Sequence, residues 1–448
     1  MKKSLKLLSI SLLFLGSNAF AQELTLKQCI DRASTNNLTI KQQITAIQSS
    51  EISLKQTKSQ ALPTVSAYAE EGIVNAEARK DGSTYETTRK TYNNAQLGVT
   101  SQIDLWNGHK VKYEIEKQRI LLDASKMTQQ ATLQDIVIYV TSSFLDVVYQ
   151  TENVRTIENQ MAVTKEQVER TRIMVDAGAM AKFELSRMLM QQAQEKAVLV
   201  DAKTQLAQSI LTLGQLLDIK GDSVNKLKVS VPVLPEIENI VVENPDSIFS
   251  IASKTYPELK AQQLVLQSYE SDVKIAKSTG LPNVYLKGQV YTGYDGITYS
   301  YDDPTSVTPY GSQIGDNLNA QIVLGINVPI FNKHNTKWSV AQSRIAKSTA
   351  QFELEQKQND LYKKAQSVSL EAISAQEQYK ARTEAAKLAN ESFVLAQEKF
   401  NAGTMDGISF IIEKNNLAQS QSDLLLSKYQ LLFKLKQIDL LLGKEISL

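Results

Sequence analysis

Residues 105–177 read LWNGHKVKYEIEKQRILLDASKMTQQATLQDIVIYVTSSFLDVVYQTENVRTIENQMAVTKEQVERTRIMVDA, with no proline and with Gly108 as the only glycine. Apolar residues return three and four apart: Ile115, Ile120, Leu121, Leu133, Ile136, Val140, Phe144, Val147, Ile157, Val163 and Val168. That is the period of a helix. An unbroken helix of this length would reach roughly 105 Å at 1.5 Å per residue, far beyond an ordinary domain. Such a run implies a coiled coil, a membrane span or a helical repeat. Lys110, Glu114, Glu116, Lys117, Arg119, Glu166 and Glu169 recur too often for a span in lipid. Long helix-on-helix packing is what remains.

Upstream, residues 1–21 read as a secretory signal: Lys2, Lys3 and Lys6, then the apolar run from Leu7 to Leu15, then Ala19-Phe20-Ala21 before the cut. Losing those three lysines turns a formal charge of +1 slightly negative. A chain so balanced has no field to hold a polyanion, which excludes a nucleic-acid binder. Cys29 is the single cysteine, so no internal disulfide or thiolate metal site is available. With two histidines, no HExxH, no GxSxG and no phosphate-cradling loop, the reading is not an enzyme, with no cofactor and no metal. No later stretch is apolar and long enough for a helical span, so a membrane-integral form must use strands.

From Leu24 a helical pattern with Thr25 as cap runs to Leu62-Pro63, where the missing amide stops it. The period then changes to two. Val65, Ala67 and Ala69 alternate with Thr64, Ser66 and Tyr68, and Leu97, Val99, Ser101 and Ile103 alternate with polar neighbours. The reading places strands at about 62–74 and 95–106, with residues 71–94 as a loop. The long helix follows, turns at Ala177-Gly178, and a second helix returns to Leu217. Residues 218–246, with Pro232, Pro235 and Pro245, form a linker.

The order then repeats. Leu62-Pro63 matches Leu281-Pro282 at an offset of 219, whereas Ala177-Gly178-Ala179-Met180 matches Ala402-Gly403-Thr404-Met405 at 225. The offset changes once, between the paired strands, so a loop absorbs the difference and the long helices keep their length. The chain is thus read as a first repeat over 22–246 and a second over 247–448, with strands at about 281–292 and 319–331 and a hairpin turn near 403. Four strands cannot close a barrel, because their edges would leave backbone groups unpaired in hydrocarbon. Three copies would close twelve strands, with the helices forming a tube below. Trp106 and Phe331, at equivalent strand ends, suit the membrane interface.

These features carry a resemblance. The tandem halves, LTLKQCIDRASTNN at 24–37, the two Leu-Pro strand starts, SQIDLWNG at 101–108, NVPIFNK at 327–333 and the AGAM and AGTM turns are similar to the TolC-like outer membrane efflux family. The resemblance covers essentially the whole mature chain. It implies a homotrimer: a twelve-stranded β-barrel in the outer membrane, four strands per chain, continuous with a long periplasmic α-helical barrel. It implies an exit duct of a tripartite efflux pump or type I secretion system, with a membrane-fusion adaptor and an inner-membrane pump (RND, ABC or similar) as partners. Adaptor contact is then expected at the turns Ala177, Gly178, Ala179, Met180, Ala402, Gly403, Thr404 and Met405. The family's aperture acids fall on Ser409 and Ile412, which are not acidic, leaving Glu184, Asp406 and Glu413 as substitutes. A periplasmic coiled-coil scaffold or an adaptor is the alternative; an adaptor would carry one hairpin, whereas this chain has two.

Overall fold

The computed structural model describes residues 23–79, 87–224, 226–232, 240–302 and 306–446. The segment read as a signal sequence and Pro235 therefore lie outside the described residues. In chain order the elements are α1 (Leu26–Asn36), α2 (Leu38–Ser59), β1 (Thr64–Arg79), β2 (Thr87–Trp106), α3 (Lys110–Asp176) and α4 (Lys182–Leu216). Then come α5 (Pro245–Thr255), α6 (Pro257–Ser278), β3 (Asn283–Asp295), α7 (Tyr310–Asp316), β4 (Asn319–Asn327), α8 (Asn335–Asn401) and α9 (Gly407–Leu441).

The helices match across the repeat in length. α1 and α5 both have 11 residues, α2 and α6 have 22, α3 and α8 have 67, and α4 and α9 have 35. Helices that keep their length to the residue in both halves leave internal duplication as the account. Local chemistry sets their starts. Thr25 accepts from the Gln28 amide at 3.3 Å while the Gln28 side chain accepts from the Thr25 amide at 3.0 Å, a reciprocal capping box. Asn244 caps α5, with Pro245 in the first turn where its missing N–H costs nothing.

Two compact units are present, and each draws on both repeats: Met1–Gln42, Ala131–Tyr256 and Asp360–Leu448 in one, Gln43–Gln130 and Pro257–Asn359 in the other. In the first, α1, α3, α4 and α9 bury Cys29, Val140, Phe144, Val148, Leu213 and Leu432 in one core. Burial pushes the Cys29 thiol up to about 12, which leaves it a packing residue. A stretch of α3 is apolar enough by length and composition to cross a bilayer, contrary to the sequence expectation. Its Ile136, Val140, Phe144 and Val148 are buried in this core instead. Leu24 pairs with the linker at Val229, and Ile446 joins the same core, so the two chain ends and the linker meet.

The second unit holds an antiparallel sheet in the order β1-β2-β3-β4. Of the segment 71–94, expected as a loop, residues 71–79 and 87–94 instead prolong β1 and β2: the ladder continues from Ile73↔Asn93 to Arg79↔Thr87, and residues 80–86 lie outside the described residues. Their glycine and charge report water on the side chains, which the backbone pairing does not require to be absent. β4 stops at Asn327, shorter than expected, two residues before Pro329.

Candidate functional site

Register decides what the sheet can do. Val99 lies opposite Val290, Ile103 opposite Leu286, Val284 opposite Ile326, and Leu286 opposite Leu324. These residues share one face, and that face is bare: Ile322 is 82% exposed, Ile326 67% and Val65 70%. The other face carries Thr64, Ser66, Tyr68, Thr100, Gln102, Gln289 and Gln321. There Ser66 and Thr100 hydroxyls meet at 2.9 Å, and Gln321 donates to Gln289 at 3.2 Å. One face suits hydrocarbon and the other suits water, the alternation of a barrel wall in lipid. β1 and β4 are the outer strands of the sheet and leave one edge of each unpaired within the chain.

Between β3 and β4, a short segment folds back on the end of β3. The Asp295 amide donates to Gln313 Oε1 at 3.0 Å, and Gln313 Nε2 donates to the Asp295 carbonyl at 3.0 Å and to the Thr308 carbonyl at 2.8 Å. The buried side-chain amide thus takes the place of one more strand residue on β3. Asn317 donates to the Gly293 carbonyl and Thr292 to the Ile314 carbonyl. Replacing Gln313 by leucine should leave three backbone groups of this segment without their partner, at about 1–3 kcal/mol per buried orphan. Faster proteolysis within residues 296–318 of an otherwise heat-resistant oligomer is the expected readout.

The two hairpin turns have one construction. Gly178 and Gly403 both sit at φ +75°, a left-handed conformation that favours glycine. The Ala179 amide donates to the Met174 carbonyl and Gly178 to Val175; Thr404 donates to Lys399 and Gly403 to Phe400. Each helix therefore ends in a Schellman motif. Nothing lies within 4 Å of where a Cβ would project from either glycine. Ala177, Ala179, Ala402 and Thr404 are exposed, whereas Met180 and Met405 turn inward against a core of Val168, Met188, Phe393, Phe400, Phe410 and Leu417. Phe400 and Phe410 stack at 4.6 Å across that core.

The expected aperture residues stand at the start of α4 and α9. Asp406 caps α9, accepting from the Ile408 and Ser409 amides at 2.9 and 3.0 Å and from the Ser409 hydroxyl at 2.7 Å. The Ser409 contacts hold its carboxyl below the usual range. Glu413 accepts from Ser392 at 2.8 Å. Glu184 is half-buried, with one oxygen pressed toward Gly407 and no hydrogen-bond partner for it. Ile412 is exposed. Trp106 and Phe331 are placed alike, each ring edge-on to a histidine: His109 at 6.0 Å and His334 at 5.5 Å.

One charged cluster was not anticipated. The Lys414 ammonium on α9 donates to Glu195 on α4 at 2.5 Å and to Thr164 on α3, and Thr164 donates to Glu195 at 2.6 Å. The Lys414 side chain is 5% exposed and that of Glu195 14%. Burial lowers the Lys414 pKa, with Glu195 opposing the shift. Polar contacts continue along α3: Asp146 with Ser209, Glu152 with Tyr429, Asn153 with Ser422 and Gln160 with Gln421. None of these groups forms a nucleophile–base pair open to a substrate, and no metal-holding cluster of His, Cys, Asp and Glu occurs among the described residues.

Comparison with known proteins agrees with this geometry. The family described as "Outer membrane efflux protein" matches residues 29–218 and 249–444, one block per half. Outer membrane efflux protein BepC of Brucella suis is 19% identical over 417 residues, spanning 91% of this chain and 84% of that protein. The fold is shared with the CmeC outer membrane channel of Campylobacter jejuni (TM-score 0.75, 16% identity, 93% and 85% of the two chains). It is shared as well with the outer membrane protein VceC of Vibrio cholerae (TM-score 0.75, 13% identity, 94% and 97%). Matched over both halves, the chain belongs to the outer membrane efflux protein family, the trimeric, non-enzymatic channels of the outer membrane that serve a periplasmic adaptor and an inner-membrane pump.

Proposed function

We propose that the bare apolar face of the sheet meets outer-membrane lipid, that its polar face lines the passage, and that the two glycine turns receive the adaptor. The observation that carries the first part is the register that puts Val65, Val99, Leu286, Ile322 and Ile326 on one exposed face. An exposed surface of that kind marks a contact with lipid or with another chain, and the unpaired edges of β1 and β4 call for neighbouring copies. Material extracted in detergent should run as a trimer and conduct ions in planar bilayers; a water-soluble monomer would overturn the assignment.

The turns are supported by their exposure and by the open space over Gly178 and Gly403. Ala177, Ala179, Ala402 and Thr404 supply the contact surface in this reading, while Met180 and Met405 hold the turns on their core. For the narrow end of the passage we assign Asp406 to fixing the start of α9. Glu184, Ser409, Ile412 and Glu413, in the opening turns of α4 and α9, are the residues nearest to it. Loss of cation preference on neutralising Glu184 and Glu413, read in the same bilayers, tests that placement.

A further inference from the structure

The four strand–helix junctions lie at one end of the sheet. Register brings them there: Thr64 pairs with Gln102, Trp106 with Val284, and Asn283 with Asn327. The sequence between each strand end and the adjoining helical turns holds lysine and no carboxylate. This is true of 52–62, 105–113, 273–282 and 328–343. Lys55, Lys58, Lys112, Lys277, Lys333 and Lys337 are exposed, and none of the six has a carboxylate within 4 Å among the described residues. Further along the helices the pattern reverses, and Lys117, Lys347 and Lys357 each meet an acidic partner on another helix.

Four strands span only about 15 Å at 4.8 Å per strand. Six unpaired ammonium groups on that front lie within one or two Debye lengths of each other. Of the acids just beyond these segments, Glu114, Glu116 and Asp272 already pair with Lys110, Lys274 and Lys117, so anions from outside the chain would relieve the repulsion further. The same end is apolar: Ile330 is 95% exposed, Phe331 73% and Trp338 61%, continuing the bare face of Ile322 and Ile326. Lys337 lies 5.2 Å from the Trp338 ring. A surface that is apolar toward the sheet and cationic just beyond it matches the boundary between acyl chains and phosphate.

We propose that this end of the sheet is a basic–aromatic collar that binds anionic phospholipid headgroups of the periplasmic leaflet in preference to zwitterionic ones. The proposal rests on the placement of the sheet in lipid. Closure by three chains would triple the charge and make the collar continuous. Its function is to fix the depth of the barrel and to gather anionic lipid around the channel.

The chain's two tryptophans, Trp106 and Trp338, both stand in the collar, so tryptophan emission, excited selectively over tyrosine, reports on it alone. The trimer would be reconstituted into phosphatidylethanolamine vesicles containing phosphatidylglycerol, with bromine on the acyl chains of one lipid or the other. Quenching should give a relative binding constant about fivefold or more in favour of the anionic lipid, the effect of a single lysine near a charged surface. The combined variant Lys55→Gln, Lys58→Gln, Lys112→Gln, Lys277→Gln, Lys333→Gln and Lys337→Gln should bring that ratio close to 1, and the same six positions as arginine should retain it. Equal quenching by both lipids, or a preference that survives the glutamine variant, would overturn the collar and leave the barrel untouched. Failure of either lipid to quench would sink the membrane placement as well.

Discussion

Lys414→Met should lower the stability of the helical unit by about 3–5 kcal/mol, the cost of leaving a buried charge without its partner. Glu195, 14% exposed, would keep its carboxylate among α3, α4 and α9 with only Thr164 and Gln191 to donate to it. Removing both charges, as Lys414→Met with Glu195→Gln, should recover most of the loss. Packed uncharged groups at such a position are often as stable as the pair they replace. Thermal melts followed by helical circular dichroism separate the two. A single variant that melts with the wild type, or a double variant no better than the single, would remove the cluster from any structural role. The pH dependence has a definite sign. The folded Lys414 pKa lies below the ordinary lysine range, so between the two values the unfolded chain binds more protons. Stability should therefore rise with pH across that alkaline window, and Lys414→Met should abolish the rise.

Gly403→Pro is the second large effect, and it should fall on export rather than on the barrel. The turn needs φ +75° and an amide that donates to Phe400; proline fixes φ near −65° and has no N–H. Opening the turn costs about 3 kcal/mol or more, so an adaptor that needs the closed form would bind roughly a hundredfold more weakly. Drug or dye export in a complemented deletion strain should collapse while heat-resistant trimer stays at wild-type abundance. Gly178→Pro tests the first turn in the same way. If trimer disappears in proportion to export, the turn is needed for folding and its docking role fails.

Much of this was legible in the chain because periodicity is a direct record of environment. The alternation at Val65, Ala67 and Ala69 and at Ile322, Leu324 and Ile326 announced a two-faced sheet. The pair of offsets announced duplication with the difference confined to the strands and their loops. What failed did so for physical reasons. Residues 71–77 and 87–94 looked like a loop because most of their side chains are exposed, although their backbone is paired. Asp406 carries a local signal as well, since an aspartate followed by Gly407 and Ser409 at the start of an apolar run marks a helix start. Lys414 did leave a trace: it stands four after Phe410 and three before Leu417, a cation on the apolar stripe of α9. Such a residue must find an opposite charge, but only the fold identifies Glu195.

Gln313 ends the ladder of β3 with a side chain instead of a further strand residue. The wall of the channel is thereby complete below that plug, whatever the chain does above it. In the proposed placement of the sheet, the segment between β3 and β4 faces the cell exterior, where substitutions, insertions and deletions can accumulate under selection from phage, antibody or neighbouring microbes without reaching the conduit. Surface identity and transport can thus diverge independently within one gene.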